Sequence, residues 1–115
     1  MKWKPSEEQI DLYAYGRCMY LASAFAARMS GEIETVIDAG NYIGHAWFVD
    51  ERGYAWDIDG KRPAPAVRNE HRWGERIFRR FDSEQMWRFI GSTPNAAAKA
   101  EAEALAADII KTERK

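Results

Sequence analysis

Apolar residues recur at helical spacing through the first part of the chain. Ser6 has the spacing of a capping box, and the residues after it predict a short helix over residues 7–15. Gly16 then interrupts the pattern, and a second apolar stripe begins at Cys18. This stripe continues through Leu21, Ala22, Phe25 and Met29. We expect the second helix to end near Gly31, because glycine adopts the backbone conformation of a helix C-terminal cap at little steric cost.

Alternating apolar and polar residues replace the helical pattern in the middle of the chain. Residues 32–38 alternate and contain β-branched side chains, which predicts a strand. Two aromatic-rich strands follow over residues 42–50 and 53–59, and the short glycine-containing turn between them predicts a β-hairpin. Residues 60–65 contain one glycine and two prolines, so we expect the chain to leave the sheet there as a loop.

The last third of the chain returns to helical patterning after one more strand. Residues 75–81 predict that strand, and Asp82 then caps a short helix. An alanine-rich helix opens at Thr93 and Pro94 and continues toward Thr112. The C-terminal part of the chain is therefore predicted to be helical.

These elements fit within one domain. A chain of 115 residues has room for a single hydrophobic core. We expect residues 1–115 to form one α+β domain, in which a helix headed by Cys18 packs on a small antiparallel sheet. Residues 82–112 then form its C-terminal helical part.

Charge and composition exclude some classes of function. Seventeen Lys and Arg residues stand against eighteen Asp and Glu residues, so no excess of positive charge favours nucleic acid as a partner. The arginines between residues 72 and 80 are interrupted by acidic residues, as on a solvated face. No apolar run has the length of a signal-peptide core or of a membrane span, and a single cysteine cannot form an internal disulfide. We therefore expect a cytoplasmic protein.

One set of residues has the chemistry of a nucleophilic site. Cys18 stands at a predicted helix start, where free backbone N–H groups and the neighbouring Arg17 favour a thiolate and can stabilise an oxyanion. A thiolate enzyme also needs a base and a group that orients the base, and His45 and Asp57 have those chemistries. The second histidine, His71, lies in a polar stretch without periodicity, and we expect it in an exposed loop.

The register of the predicted hairpin decides whether these residues share a face of the sheet. If Asp50 pairs with Tyr54, residues of odd number in both strands point the same way. That face then contains His45, Trp47, Asp57 and Asp59. If Asp50 pairs with Gly53, both aspartates point away from His45. The sequence leaves both registers open.

Three short segments resemble the cysteine-enzyme core of papain-like and transglutaminase-like proteins. They are G-R-C-M-Y-L-A at 16–22, G-H-A-W-F-V at 44–49 and Y-A-W-D-I-D-G at 54–60. The resemblance covers residues 13–60, and the order of cysteine, histidine and aspartate also matches. It implies Cys18 as nucleophile, His45 as base and Asp57 as the orienting carboxylate. The residues expected to contribute to substrate binding are Trp47, Trp56 and Asp59.

The resemblance implies an acyl-transfer enzyme of peptidase, amidase, deamidase or transglutaminase type, which acts through a thioester on the cysteine. Its substrate or partner would be a protein or a peptide, and no organic cofactor is implied. No metal is implied either, because two histidines and one cysteine at scattered positions make a poor zinc site. The alternative class is a non-catalytic inhibitor or accessory factor that binds another protein through a similar small scaffold.

Overall fold

The computed structural model describes residues 2–72 and 77–114, and only the backbone of Tyr15. The helices are α1 (Glu7–Tyr15), α2 (Cys18–Ala26), α3 (Ala64–Glu70), α4 (Ser83–Ile90) and α5 (Ala96–Glu113). The strands are β1 (Gly31–Ile37), β2 (Ile43–Asp50), β3 (Tyr54–Asp57), β4 (Gly60–Pro63) and β5 (Ile77–Phe81). The α+β class, the cysteine at the head of a helix and the C-terminal helices are confirmed. None of these helices is long and apolar enough to cross a bilayer.

The strands form one antiparallel sheet in the order β4-β3-β2-β1-β5. The ladder between β2 and β3 consists of the pairs Phe48–Trp56 and Val49–Ala55. Continued to the turn, this register sets Asp50 opposite Tyr54, which is the first of the two registers considered from the sequence. It directs Trp47 and Asp57 to the same face of the sheet.

The helices cover the two faces of the sheet unequally. α1, α2, α4 and α5 contribute to the main core on one face, which includes Ala46 and Phe48 of β2. The opposite face is covered by α3 and buries a smaller cluster that includes Trp47 and Val49 of the same strand. We call these the α2 face and the α3 face. Side chains of β2 therefore alternate between two separate cores.

The segment after β3 differs from the sequence prediction. A loop over residues 60–65 is wrong, because Gly60–Pro63 form β4 and α3 follows directly. Gly60, at φ +91°, pairs with Asp57 across a two-residue turn that returns the chain into the sheet. Pro65 lies in the first turn of α3, where backbone N–H groups have no helical partner to lose. Neither proline therefore interrupts an element.

The end of α2 and the start of β1 also differ from the prediction. α2 ends at Ala26 rather than near Gly31. Gly31 instead begins β1 at φ +156°, where a Cβ would lie 2.1 Å from the carbonyl oxygen of Val49. Of the strand predicted over residues 75–81, the described part begins at Ile77, and its first two residues lie outside the described ranges.

Side-chain caps determine where three helices begin. Ser6 forms the predicted capping box before α1, and Asp82 forms a second one before α4. The last helix begins after Asn95 rather than at Thr93 and Pro94. The reason is that the Asn95 side chain accepts a backbone N–H from the first turn of α5 at 3.0 Å.

Candidate functional site

Cys18 is the first residue of α2, and only 6% of it is exposed. Burial raises the pKa of its thiol above the ordinary value. The backbone N–H groups of Ala46, Met19 and Cys18 itself interact with the sulfur and lower the pKa in part. The sulfur is therefore a neutral thiol that faces several backbone donors, which is the environment an oxyanion requires.

The Ala46 N–H is open to the sulfur because β2 and β3 separate at this end of the sheet. Asp57 closes the turn to β4, so Trp56 directs its backbone groups toward Phe48 of β2. Ala46, two residues before Phe48, points the same way, but the ladder with β3 does not extend to it. Cys18 lies at this gap, and the charge of Asp57 contributes to the raised pKa of the thiol.

His45 lies on the α3 face and stacks against a second histidine. Its ring centroid is 4.6 Å from that of His71 and 5.7 Å from that of Trp47. The rings of His71 and Trp47 are themselves 5.3 Å apart and nearly parallel. Burial and the neighbouring His71 lower the pKa of His45 to about 4, although the Ala14 carbonyl accepts a hydrogen bond from the imidazole. At neutral pH the His45 ring is therefore uncharged.

His71 is not in an exposed loop, as the sequence predicts, but half-buried at the C-terminal cap of α3. The error follows from the missed helix, because α3 carries the chain back across the sheet and directs His71 onto His45. Seven residues of helix between a proline-rich segment and a polar one give little periodicity to detect. The signal that was available is Pro65 in the first helical turn.

Asp57 is held by Arg62, a residue that sequence reasoning did not identify. Its Oδ1 accepts the backbone N–H of Asp59 at 2.8 Å, and its Oδ2 lies 3.3 Å from Nη2 of Arg62. Burial raises the pKa of Asp57 to about 6, even though Arg62 lowers it. Arg62 also pairs with Glu70 at 2.6 Å and lies 3.7 Å from Asp59. One guanidinium thus gathers three carboxylates beside the histidine pair.

The two tryptophans predicted to contribute to substrate binding lie on opposite faces of the sheet. Trp47 packs on the α3 face beside His45 and donates its indole N–H to Glu34 at 3.1 Å. Trp56 packs on the α2 face, where its ring lies 5.7 Å from that of Phe25. Its indole N–H donates to Asp50 at 2.9 Å. Trp47 therefore borders the histidines, whereas Trp56 belongs to the main core.

The structure brings Cys18 and Asp57 to one end of the sheet and places His45 beside that end on the α3 face. In residues 2–72 and 77–114, no hydrogen bond joins Cys18 to His45 or His45 to Asp57. The Cys18 sulfur instead meets the backbone of β2 one residue past His45. Nucleophile, base and carboxylate are thus close in the fold but are engaged with other partners.

The site offers acid–base chemistry and backbone donors rather than a metal centre. Among the described residues, no three Asp, Glu, His or Cys side chains are arranged to hold a metal ion. Compared with known protein families, with curated proteins and with solved structures, the chain gives no match in any of the three. The assignment of function therefore depends on the geometry of the site.

Proposed function

We propose that this chain is a cysteine-nucleophile acyl-transfer enzyme that acts on a protein or peptide. Cys18 is the nucleophile, His45 the general base and Asp57 the carboxylate of the site. The observation that carries the proposal is the position of the Cys18 sulfur, at a helix start and facing the N–H of the residue after His45. We place the activity in the cytoplasm, where the single cysteine stays reduced.

The proposed reaction has two steps. In the first, the Cys18 sulfur attacks the carbonyl carbon of an amide while His45 takes the thiol proton. The carbon–nitrogen bond then breaks, the departing amine takes that proton from the imidazolium, and the acyl group remains on the sulfur as a thioester. In the second step, water attacks the thioester and gives its proton through His45 to the leaving thiolate. An amine in place of water completes a transamidation.

Backbone donors around the sulfur suit the oxyanion that forms in both steps. The N–H groups of Cys18, Met19 and Ala46 interact with the sulfur, so a carbonyl oxygen bound beside it lies near the same groups. Fixed backbone donors stabilise such an anion without reorganisation during the reaction. The gap between β2 and β3 is therefore the expected position of the scissile carbonyl group.

The protonation states of Cys18 and His45 support a mechanism in which substrate binding brings the thiol and the imidazole together. Burial favours a neutral Cys18 thiol and a neutral His45 imidazole over their ion pair. Transfer of the proton requires the imidazole to leave its stack with His71 and Trp47 and to turn toward the gap. We expect slow reaction of the thiol with small alkylating agents and faster reaction with an acyl donor that occupies the gap.

An activated ester tests the nucleophile. Wild-type protein treated with p-nitrophenyl acetate should release p-nitrophenolate and retain one acetyl group on Cys18, as read by intact mass and peptide mapping. Cys18→Ala should retain none, whereas Ser23→Ala, a matched change on the same helix, should react like wild type. Acetylation of Cys18→Ala at the wild-type rate and extent would overturn the proposal.

A non-catalytic protein-binding role is the second candidate, and the burial of Cys18 favours it, because a buried free cysteine commonly serves as a small apolar residue. The capture of Asp57 by Arg62 favours it as well. Under this alternative, Cys18→Val preserves every property of the protein, since valine fills a similar volume. Under the enzyme proposal, the same variant folds normally but forms no acyl-enzyme.

A further inference from the structure

The edge of the sheet formed by β4 is closed to further pairing. Counted from the turn between Asp57 and Gly60, the outward-facing positions of β4 are Lys61 and Pro63. The Lys61 N–H donates to the Glu113 carboxylate of α5 at 3.2 Å, and Pro63 has no N–H. No outward donor of this strand is left for another chain.

The edge formed by β5 differs. The alternation of hydrogen bonds across the sheet directs Thr35 of β1 toward its partner Arg79, so Phe78 and Arg80 present their N–H and C=O groups outward. Across the part of the chain that the structure describes, no hydrogen bond reaches these outward backbone groups. An edge with unpaired backbone groups is a template for another strand.

A groove of about 390 Å³ lies beside this open edge. It is lined by Arg79, Arg80, Phe81, Gln85, Arg88 and Phe89. Arg80 and Arg88 pair with Glu34 and Glu84 respectively. The Arg79 guanidinium lies over two phenylalanine rings, 4.9 and 5.4 Å from their centroids, and forms no ion pair with a described residue. Arg79 is therefore positioned to meet a carboxylate from outside the molecule.

We propose that β5 accepts an additional strand from an acidic, extended segment of a partner polypeptide. The partner backbone pairs with Phe78 and Arg80, and an aspartate or glutamate side chain meets Arg79. Ile77 is on the same face of the strand as Arg79 and is 62% exposed. A partner residue two positions from the acidic one is therefore apolar and covers Ile77.

A second copy of this chain fits the edge less well than an acidic segment. The two-fold register that uses both outward residues pairs Phe78 of one copy with Arg80 of the other. It also sets Arg79 opposite Arg79, and like charges directly opposite each other in a sheet are destabilising. Charge therefore selects against self-pairing and in favour of a negatively charged strand.

The test uses a capped, fluorescently labelled ten-residue peptide. Every second residue is threonine and the residues between are valine or glutamate, so that valine and glutamate share one face. Saturable binding by anisotropy is expected, with amide shifts in NMR spectra concentrated at Phe78 and Arg80. Arg79→Glu should weaken binding about tenfold or more, because attraction becomes repulsion. Arg52→Glu, an exposed arginine in the turn between β2 and β3, is the matched control and should bind like wild type.

Two further probes separate strand pairing from simple charge attraction. A peptide with lysine in place of glutamate and a peptide with N-methylated alternate amides should both bind at least about tenfold more weakly. Equal binding of either probe, or no saturable binding of the glutamate peptide, overturns the proposal. So does a concentration-dependent dimer paired through β5 that excludes the peptide. If Arg79→Glu does not fold, Arg79→Gln replaces it, with the same direction of effect.

Discussion

The two faces of the sheet differ in what they bury. The α2 face buries mostly apolar side chains, with Phe25 and Phe48 fully enclosed. The α3 face, which one short helix covers, buries titratable side chains at its centre and at its edge. The exposed fractions of these residues are 3% for Glu34, 8% for His45 and 6% for Asp57. Burial of apolar area therefore stabilises one face, whereas the other depends on charged and polar partners.

Glu34 shows how the α3 face tolerates a buried charge. Its carboxylate accepts hydrogen bonds from the indole of Trp47 at 3.1 Å and from the guanidinium groups of Arg68 and Arg80 at 2.6 and 3.2 Å. Cys18 lies at the gap between β2 and β3, where the charge of Asp57 from the α3 face also reaches its thiol. A nucleophile from the apolar face can meet titratable groups only at such a position.

The largest expected effect is on the α2 face. Phe25→Ala should lower the free energy of unfolding by about 3–5 kcal/mol, because the fully buried ring contacts Phe48 and Trp56 and leaves a cavity. Urea unfolding at pH 7 measures the change. Tyr42→Ala, at a residue that is 62% exposed, is the control and should shift the free energy by no more than about 0.5 kcal/mol. Equal losses in both variants would remove the distinction between core and surface.

His45 should give the α3 face a pH dependence. Its pKa falls from 6.5 to about 4 on folding, so the stability it contributes is fully present above pH 6.5 and is lost as the pH falls through about 4. On acidification, the free energy of unfolding of His45→Gln should therefore fall by about 2–3 kcal/mol less than that of wild type. Urea unfolding of both proteins at pH 7 and pH 4.5 measures it. An unchanged pH slope in the variant would show that His45 is not buried as a neutral ring.

Asp57 should act in the opposite direction. Its pKa rises from 3.8 to about 6 on folding, so its stabilising contribution is present below pH 3.8 and is lost as the pH rises through about 6. Between pH 4 and pH 8, the stability of Asp57→Asn relative to wild type should therefore increase by about 2 kcal/mol. Asp59→Asn removes a side chain that is 52% exposed and that adds only in part to the raised pKa of Asp57, so it should change this slope by less than Asp57→Asn does. A larger change from Asp59→Asn would contradict the assignment.

The sequence predicted the α2 face better than the α3 face, for physical reasons. Apolar periodicity located the helix at Cys18, and the aromatic alternation around the turn located the hairpin that carries His45 and Asp57. The alternation does not decide the register of the hairpin, because register depends on turn geometry. The sequence pattern also does not determine side-chain rotamers, so the stacking of His45 on His71 could not be predicted.

Most errors of the sequence prediction on the α3 face have one source. The glycine and prolines around β4 are typical of a loop, and they hide both that strand and the helix after it from the sequence pattern. In the observed register, Arg62 pairs with Ala55 and so shares a face with Asp57. Recognition of β4 would have placed Arg62 beside Asp57 from the pattern alone, and recognition of α3 would have brought His71 back to the sheet.

The most direct test of the central proposal is whether the two histidines differ in their effect on acylation of Cys18. We would measure the rate of acetyl transfer from p-nitrophenyl acetate to Cys18 in wild type, His45→Gln and His71→Gln, with folding checked by circular dichroism. The proposal predicts that His45→Gln slows transfer by about 100-fold, the usual contribution of a general base. His71→Gln should slow it far less, because the proposal gives His71 no part in the proton transfer and places it beside the imidazole as a stacked ring. Acylation of a folded His45→Gln variant at the wild-type rate would contradict the account.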